Sequence, residues 1–419
     1  MKFFLLTTLL LLLLLAVCLP KKMSMLKYLL SSDEPPKKVR NVSELTSDDV
    51  VLDFIGLVQR HGYPAEEHSV TTDDGYILTL HRIPNSPLLD ASKKKPVVFI
   101  QHGMTASSDS WVLFGPEKDL PFILADAGYD VWLGNFRGNT YCKSHVKLTT
   151  DDPIFWGFSY HEVGLYDIPA YIDYILNYTD SKQLYYIGHS MGTTSSFVML
   201  SSKPIYNDKM RLVISLAPAS YFKHKFPPSL QRILDNVPSI RKLLDSNGIY
   251  NLIPQSRIYK KLTKGLCNDK SIFQSFCWVL YFMISGRNIG QFNSSIIQYG
   301  VGYIPAGAST QSFYHYYQNI MTGKFQAYDH GYESNIVHYK QPQPPEYDVG
   351  KITAPVVIMY GKNDALTNEE DARELYKRLP NVVAFEAVPD DCFGHLDFVV
   401  ANDVKSLVHD RVLSLLKSF

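Results

Sequence analysis

Six short, largely apolar runs set the tightest limit on how this 419-residue chain can fold. They are 95–101 (KPVVFIQ), 129–133 (YDVWL), 184–187 (LYYI), 212–216 (LVISL), 355–360 (PVVIMY) and 382–388 (VVAFEAV). A strand that is apolar on successive residues has no face to give to water, so it must be covered on both sides. Between the runs lie segments with helical spacing, at 120–127, 164–176, 191–201, 369–378 and 397–418. This alternation argues an α/β fold with a mostly parallel central sheet and helices on both faces. In such sheets the chemistry sits beyond the carboxyl ends of the strands.

Ahead of the first run, a short amphipathic helix is expected at about 48–60. Residues 68–72 and 75–81 flank Asp73-Asp74 and read as a hairpin with Gly75 at the turn. From about 220 to 343 the alternation stops. Helix-like pieces at 230–244 and 271–283 are joined by Gly, Pro and Asn loops, and the stretch is rich in Phe, Tyr and Trp. It reads as an inserted, mainly helical cap with an apolar underside. The expected organisation is a leader at 1–18, a mobile lead-in at 19–50, a core at 51–219 and 344–419, and the cap at 220–343.

The leader reading rests on MKFFLLTTLLLLLLLAVCLP, in which one Lys precedes a long apolar run ending in Ala16-Val17-Cys18. These are the parts of a secretory signal peptide; an uncleaved anchor helix is the alternative. No later run approaches the roughly 18 apolar residues needed to span a bilayer, so no stable transmembrane anchor is expected. Secretion implies an oxidising compartment for Cys142, Cys267, Cys277 and Cys392. Cys267 and Cys277 are close in sequence and are the best disulfide candidates, while Cys142 and Cys392 could pair or stay free. Glycosylation sequons stand at Asn41, Asn177 and Asn293. The 41 basic residues balance the 41 acidic ones, which gives no field to attract nucleic acid.

Gly188-His189-Ser190-Met191-Gly192 lies between the strand LYYI and a helix of small residues, GTTSSFVML. Strand, sharp turn and helix are the setting of a nucleophile elbow, with Ser190 at the turn. Gly188 and Gly192 keep side chains out of the tight packing there. The elbow fold orders its residues Ser, acid, His. Asp364 follows the strand PVVIMY, and His395 follows VVAFEAV near the C-terminus. His409 lies inside a helix, His330 and His338 lie in or beside the insertion, and Asp390, Asp391 and Asp397 stand too close to His395 to orient it in the usual way. An oxyanion would be held by the backbone N–H groups of Met191, at a helix start, and of Met104, after His102-Gly103. His102 and His189 are better read as packing residues than as bases. No zinc spacing, P-loop or dinucleotide fingerprint is present, so neither a metal nor a cofactor is expected.

The chain resembles the animal acid lipase family, which includes gastric and lysosomal acid lipases and many insect lipases. The resemblance is carried by HGYPAEE at 61–67, TDDGYIL at 72–78, HRIP at 81–84, His102-Gly103 with Trp111, DVWLGN at 130–135 and RGNT at 137–140. Phe155-Trp156, YDIPA at 166–170, GHSMGTT at 188–194 and HLDF at 395–398 complete it. It implies an α/β-hydrolase core with an inserted cap. It implies ester hydrolysis on neutral lipids at a lipid–water interface, by a secreted or lysosomal enzyme. It implies Ser190 as nucleophile, Asp364 as acid, His395 as base, oxyanion roles for the Met104 and Met191 backbones, and a Cys267–Cys277 disulfide in the cap. Met191 stands where Gln is common in the family, Met104 where Leu is, and Phe136 where Ser is. A silent lipid-binding protein of the same fold, or an esterase or acyltransferase on the same triad, are the competing readings. A cap that covers the site in water would make activity rise at a lipid interface.

Overall fold

The computed structural model describes residues 35–45, 50–90, 94–255, 257–268, 270–292, 297 and 299–419. The expected leader, the acceptor Asn293 and the first residues of the expected 48–60 helix lie outside them. Eight strands build the central sheet: β1 Glu66–Thr71, β2 Tyr76–Ile83, β3 Val97–Gln101, β4 Asp130–Leu133, β5 Leu184–His189, β6 Met210–Leu216, β7 Val356–Tyr360 and β8 Val382–Ala387. Their order is β1-β2-β4-β3-β5-β6-β7-β8, with the two-residue strand Ser144–His145 beside β2. β2 is antiparallel to β1 and to β4, and every pairing from β4 through β8 is parallel. The chain reverses its direction of travel at β3, going first to β4 on one side and then to β5 on the other. Such a reversal opens a crevice at the carboxyl ends of β3 and β5.

The apolar runs are continuous because each strand feeds two cores. Val97 and Phe99 of β3, Leu184 and Tyr186 of β5, and Val356 and Ile358 of β7 pack in one layer. Val98 and Ile100, Tyr185 and Ile187, and Val357 and Met359 pack in the other. Burying both faces removes roughly 25 cal/mol of unfavourable hydration per Å² of apolar surface.

Three local expectations are corrected. Residues 50–52 form a strand, and the helix begins only at Phe54, because the Asp53 carboxylate caps it by accepting the Gly56 N–H at 2.8 Å. Residues 37–39, expected in a mobile lead-in, pair in parallel with 50–52, and the Lys38 ammonium meets the buried Asp109 carboxylate. The expected 397–418 helix is broken into Asp397–Val400, a π turn at Lys405–His409 and Asp410–Ser418. At the break the Asn402 and Asp403 N–H groups turn outward to the backbone and side-chain oxygens of Gln291.

Between β6 and β7 the chain leaves the sheet. Helices Pro228–Ser246, Arg257–Cys267, Gln274–Ser285, Thr310–Thr322 and Tyr332–Tyr339 lie in this interval. A disulfide joins Cys267 to Cys277, so two successive helices are held together. Cys142 and Cys392 do not pair. The Cys142 thiol is buried against the Thr79 N–H and the Asn135 carbonyl, and burial pushes it up to about 12. Asn41 and Asn177 are exposed.

Two charged contacts tie loops to neighbouring turns and helices. The buried Arg137 guanidinium reaches Asp74 at 2.6 and 2.9 Å and Asp167 at 2.7 Å, and lies over the Tyr76 ring. Removing one partner of such a pair strands a buried charge. Arg137→Ala is therefore expected to cost about 3–5 kcal/mol, read as a lower urea midpoint.

Past β6, the His224 ring meets the buried Asp371 carboxylate at 2.5 Å, and Asp371 also accepts the Lys223 and His224 N–H groups. Burial alone would lower the His224 pKa, but Asp371, with a smaller contribution from Asp364, raises it. A raised folded value means that the pair stabilises fully below the ordinary histidine pKa of about 6.5. That contribution is lost as pH rises through the folded value. In urea denaturation at pH 5.5 and pH 8, the wild type should lose more stability on going to pH 8 than His224→Gln does. Equal slopes would mean that the His224–Asp371 pair gives no pH-dependent stability.

Candidate active site

Ser190 sits between the end of β5 and the Met191–Ser202 helix with φ 52° and ψ −117°. A side-chain-bearing residue avoids this region, which costs of order 1–3 kcal/mol. The surroundings enforce it. The Ser190 N–H donates to the Leu216 carbonyl at 3.0 Å, and its carbonyl accepts the Thr193 N–H at 2.9 Å and the Thr193 hydroxyl at 2.6 Å. A Cβ on Gly192 would lie 2.5 Å from the Gln101 carbonyl oxygen, and one on Gly188 would lie 2.8 Å from the Gly192 backbone. One on Gly103 would lie 3.1 Å from Ser190 Cβ. The three glycines thus let β3, β5 and the helix start close on one point.

His395 and Asp364 arrive there from the loops after β8 and β7. The Ser190 hydroxyl donates to His395 Nε2 at 2.8 Å, and His395 Nδ1–H donates to Asp364 Oδ2 at 2.7 Å. Asp364 is itself held. Its Oδ1 accepts the Leu366 and Thr367 N–H groups at 2.8 Å each, and its Oδ2 accepts the Thr367 hydroxyl at 3.1 Å. His395 is 3% exposed and Asp364 5%, while Ser190 is partly exposed, so the hydroxyl end of the relay is the end that faces outward. Thr193 and Thr367 are site residues that spacing alone does not single out, because a hydroxyl's value here lies in which carbonyl or carboxylate it meets.

His189 and His102 flank the relay without joining it. The His189 Nε2–H donates to the His395 carbonyl at 2.9 Å, and burial and the neighbouring His395 push its pKa down to about 3. His102 Nδ1–H donates to the Gly103 carbonyl, which leaves Nε2 to accept the Phe136 N–H at 3.3 Å; burial pushes this ring down to about 4. Both rings are therefore neutral spacers. His409 is buried on the Lys118 carbonyl, and His330 stacks on His338, away from the relay.

Among the described residues, neither the Met104 nor the Met191 backbone N–H donates to another protein group. The Met104 loop is held from above, where the Ala306 N–H donates to the Thr105 carbonyl at 2.6 Å. A small cavity beside Met191 runs between this loop and residues 307–312, with Phe136 and Phe158 in its wall. A hydroxyl at the surface of the site, with a buried imidazole and a buried carboxylate behind it in series, can move one proton from oxygen to nitrogen and back, which is what nucleophilic attack by a serine requires. Among the described residues, no three His, Cys, Asp or Glu side chains converge on a common metal-binding point, and no helix is long and apolar enough to cross a membrane.

Comparison with known proteins gives a consistent picture. The model of the alpha/beta hydrolase fold matches residues 96–401, and that of a partial alpha/beta-hydrolase lipase region matches 54–115. The chain is 39% identical to Lipase 3 of Drosophila melanogaster, over 86% of this chain and 92% of that one. It is 37% identical to human gastric triacylglycerol lipase, over 88% and 92%. It is also 37% identical to the lysosomal acid lipase/cholesteryl ester hydrolase of Macaca fascicularis, over 87% and 90%. Among solved structures, an esterase from Exiguobacterium antarcticum superposes with a TM-score of 0.51 at 13% identity, covering 84% of this chain and 100% of the other.

The close approach at the elbow is open to a direct test. Gly192→Ala should cost about 1–3 kcal/mol through overpacking, measured by thermal unfolding. The Ser190–His395 hydrogen bond should loosen by more than that instability explains, read as a change in the His395 imidazole N–H resonance, because β3 and the helix must separate beside Ser190.

Proposed function

The chain belongs to the alpha/beta-hydrolase lipases, alongside the gastric and lysosomal acid lipases, and we propose that its Ser190, His395 and Asp364 form the catalytic triad. The protein is a carboxylic ester hydrolase acting on neutral lipid esters. The observation that supports the triad most directly is the hydrogen-bond series from Ser190 Oγ through His395 to Asp364, at 2.8 and 2.7 Å, on a backbone held out of its relaxed conformation.

Ser190 Oγ attacks the ester carbonyl while His395 Nε2 takes its proton. Asp364 fixes the imidazole tautomer and stabilises the imidazolium. The negative charge that develops on the carbonyl oxygen is met by the N–H groups of Met104 and Met191, and such a donor is worth about 10²–10³ in kcat. The imidazolium then protonates the leaving alcohol, and an acyl-Ser190 ester remains. Water, deprotonated by His395, attacks that ester, and the imidazolium returns the proton to Ser190 Oγ as the fatty acid leaves.

The finer reading is a triacylglycerol lipase that also takes sterol esters, entering the secretory pathway and acting at a lipid–water interface. The names of the human and macaque relatives support the two substrate classes. The interface is supported by exposed apolar residues between β6 and β7, among them Ile272 and Phe273 just before the Gln274–Ser285 helix and Val279 on it.

Ser190→Ala should abolish fatty-acid release from a triacylglycerol emulsion while leaving the melting temperature unchanged. An organophosphonate should form an adduct on Ser190 in the wild type, seen as a mass increase on the peptide that carries it. Absence of that adduct would replace the hydrolase with a lipid-binding protein.

A further inference from the structure

The end of the Gln274–Ser285 helix and the residues after it lie directly on the two loops that carry His395 and Asp364. The Ser285 carbonyl accepts the His395 N–H at 2.6 Å, and the Ser285 hydroxyl accepts the Leu396 N–H at 3.1 Å. The approach is so close that a Cβ on Gly394 would collide with the Ser285 carbonyl, and one on Gly286 (φ +97°) with the Asn363 carbonyl. Asn363 Nδ2 in turn donates to the Arg287 carbonyl at 3.0 Å. At the far end the Gln291 carbonyl accepts the Asn402 N–H at 3.0 Å.

Asp397 is the knot in this seam. Its side chain is buried, and Oδ2 accepts the Gly394 N–H at 2.8 Å and Asn288 Nδ2 at 3.1 Å, while Oδ1 accepts the Tyr281 hydroxyl at 3.3 Å. Asn288 is buried too, and the same Nδ2 reaches Asp390 Oδ2 at 3.1 Å, so both of its amide protons are used. Separating the segment from the loops would leave a buried carboxylate, a buried amide and several backbone groups without partners. Each such group costs about 1–3 kcal/mol, and charged ones cost more.

We propose that residues 281–291 stay fixed when the rest of the insertion moves, and that Asn288 and Asp397 are positioning residues that hold the His395 loop in register with Ser190. The proposal rests on the reading of His395 as the base. In this arrangement the insertion supplies part of the catalytic frame, and opening toward lipid is left to its other helices.

The test uses a soluble short-chain ester, which needs no interface, on the full-length enzyme. Asn288→Ala should lower kcat about 10-fold with KM little changed, since a small misplacement of a catalytic group is costly in rate. The downfield imidazole N–H resonance of His395 should shift or disappear. Asp397→Asn, which keeps an acceptor oxygen in place, should retain most of the rate that Asp397→Ala loses.

Unchanged kcat and an unchanged resonance, with only a lower melting temperature, would overturn the proposal in favour of a purely structural seam. A loss confined to emulsified long-chain ester would overturn it in favour of a moving lid. Hydrogen exchange on the unaltered protein covers the case of variants that do not fold. Amides of 285–291 and 395–396 should stay protected when phosphatidylcholine vesicles are added. Their opening together with the Pro228–Ser246 helix would also overturn the proposal. The resonance and the exchange need no turnover, so their failure is distinct from a missing organophosphonate adduct, which would count against the triad itself.

Discussion

The unfavourable backbone at Ser190 makes sense only as something the neighbouring elements impose. Its N–H is held by the last residue of β6, its carbonyl by the helix that follows, and its flanks by backbone approaches that only glycine permits. Removing any of these would let the turn relax toward an ordinary helix start. The hydroxyl would then leave the line from the carboxyl end of β5 to His395. The two-sided core below makes the constraint affordable, because strands packed on both faces cannot shift to relieve a strained residue at one end.

Everything else in the site is arranged around that fixed hydroxyl. Asp364 is bound by two backbone N–H groups and a hydroxyl before it accepts from His395, so its orientation does not depend on the imidazole. His189 and His102 fill the space around the relay as neutral rings, each using one nitrogen to hold a carbonyl. A charged imidazole in either place would oppose a positive charge on the neighbouring His395 ring. Burial keeps both uncharged, so the site is rich in histidine while only His395 joins Ser190 to Asp364.

The segment between β6 and β7 divides along physical lines. Part of it is joined by hydrogen bonds to the His395 loop and the residues after it through Ser285, Asn288 and Gln291. Another part presents large apolar side chains to solvent around the Cys267–Cys277 disulfide. A single rigid lid would not need both characters. Hydrogen bonds hold the first part against the His395 loop, whereas the second leaves its apolar side chains exposed.

How much of this was legible in residues alone can be judged element by element. The strands, their parallel order and the elbow follow from local chemistry. Apolar runs must be buried wherever they occur, and a glycine on each side of Ser190 reports a tight turn without reference to distant residues. The chain order Ser190, Asp364, His395 follows from the same strand pattern. The breaks were not legible. The 397–418 helix stops because Gln291, more than a hundred positions earlier, takes the N–H groups of Asn402 and Asp403. The 37–39 segment is a strand because Asp109 waits for Lys38. Asp397, set aside for standing too close to His395, proves to be buried under Asn288 and Tyr281. Local periodicity and turn chemistry determine the elements and the sites at their ends. Which polar groups satisfy one another across long stretches of chain depends on how those elements pack, and only the tertiary structure decides that.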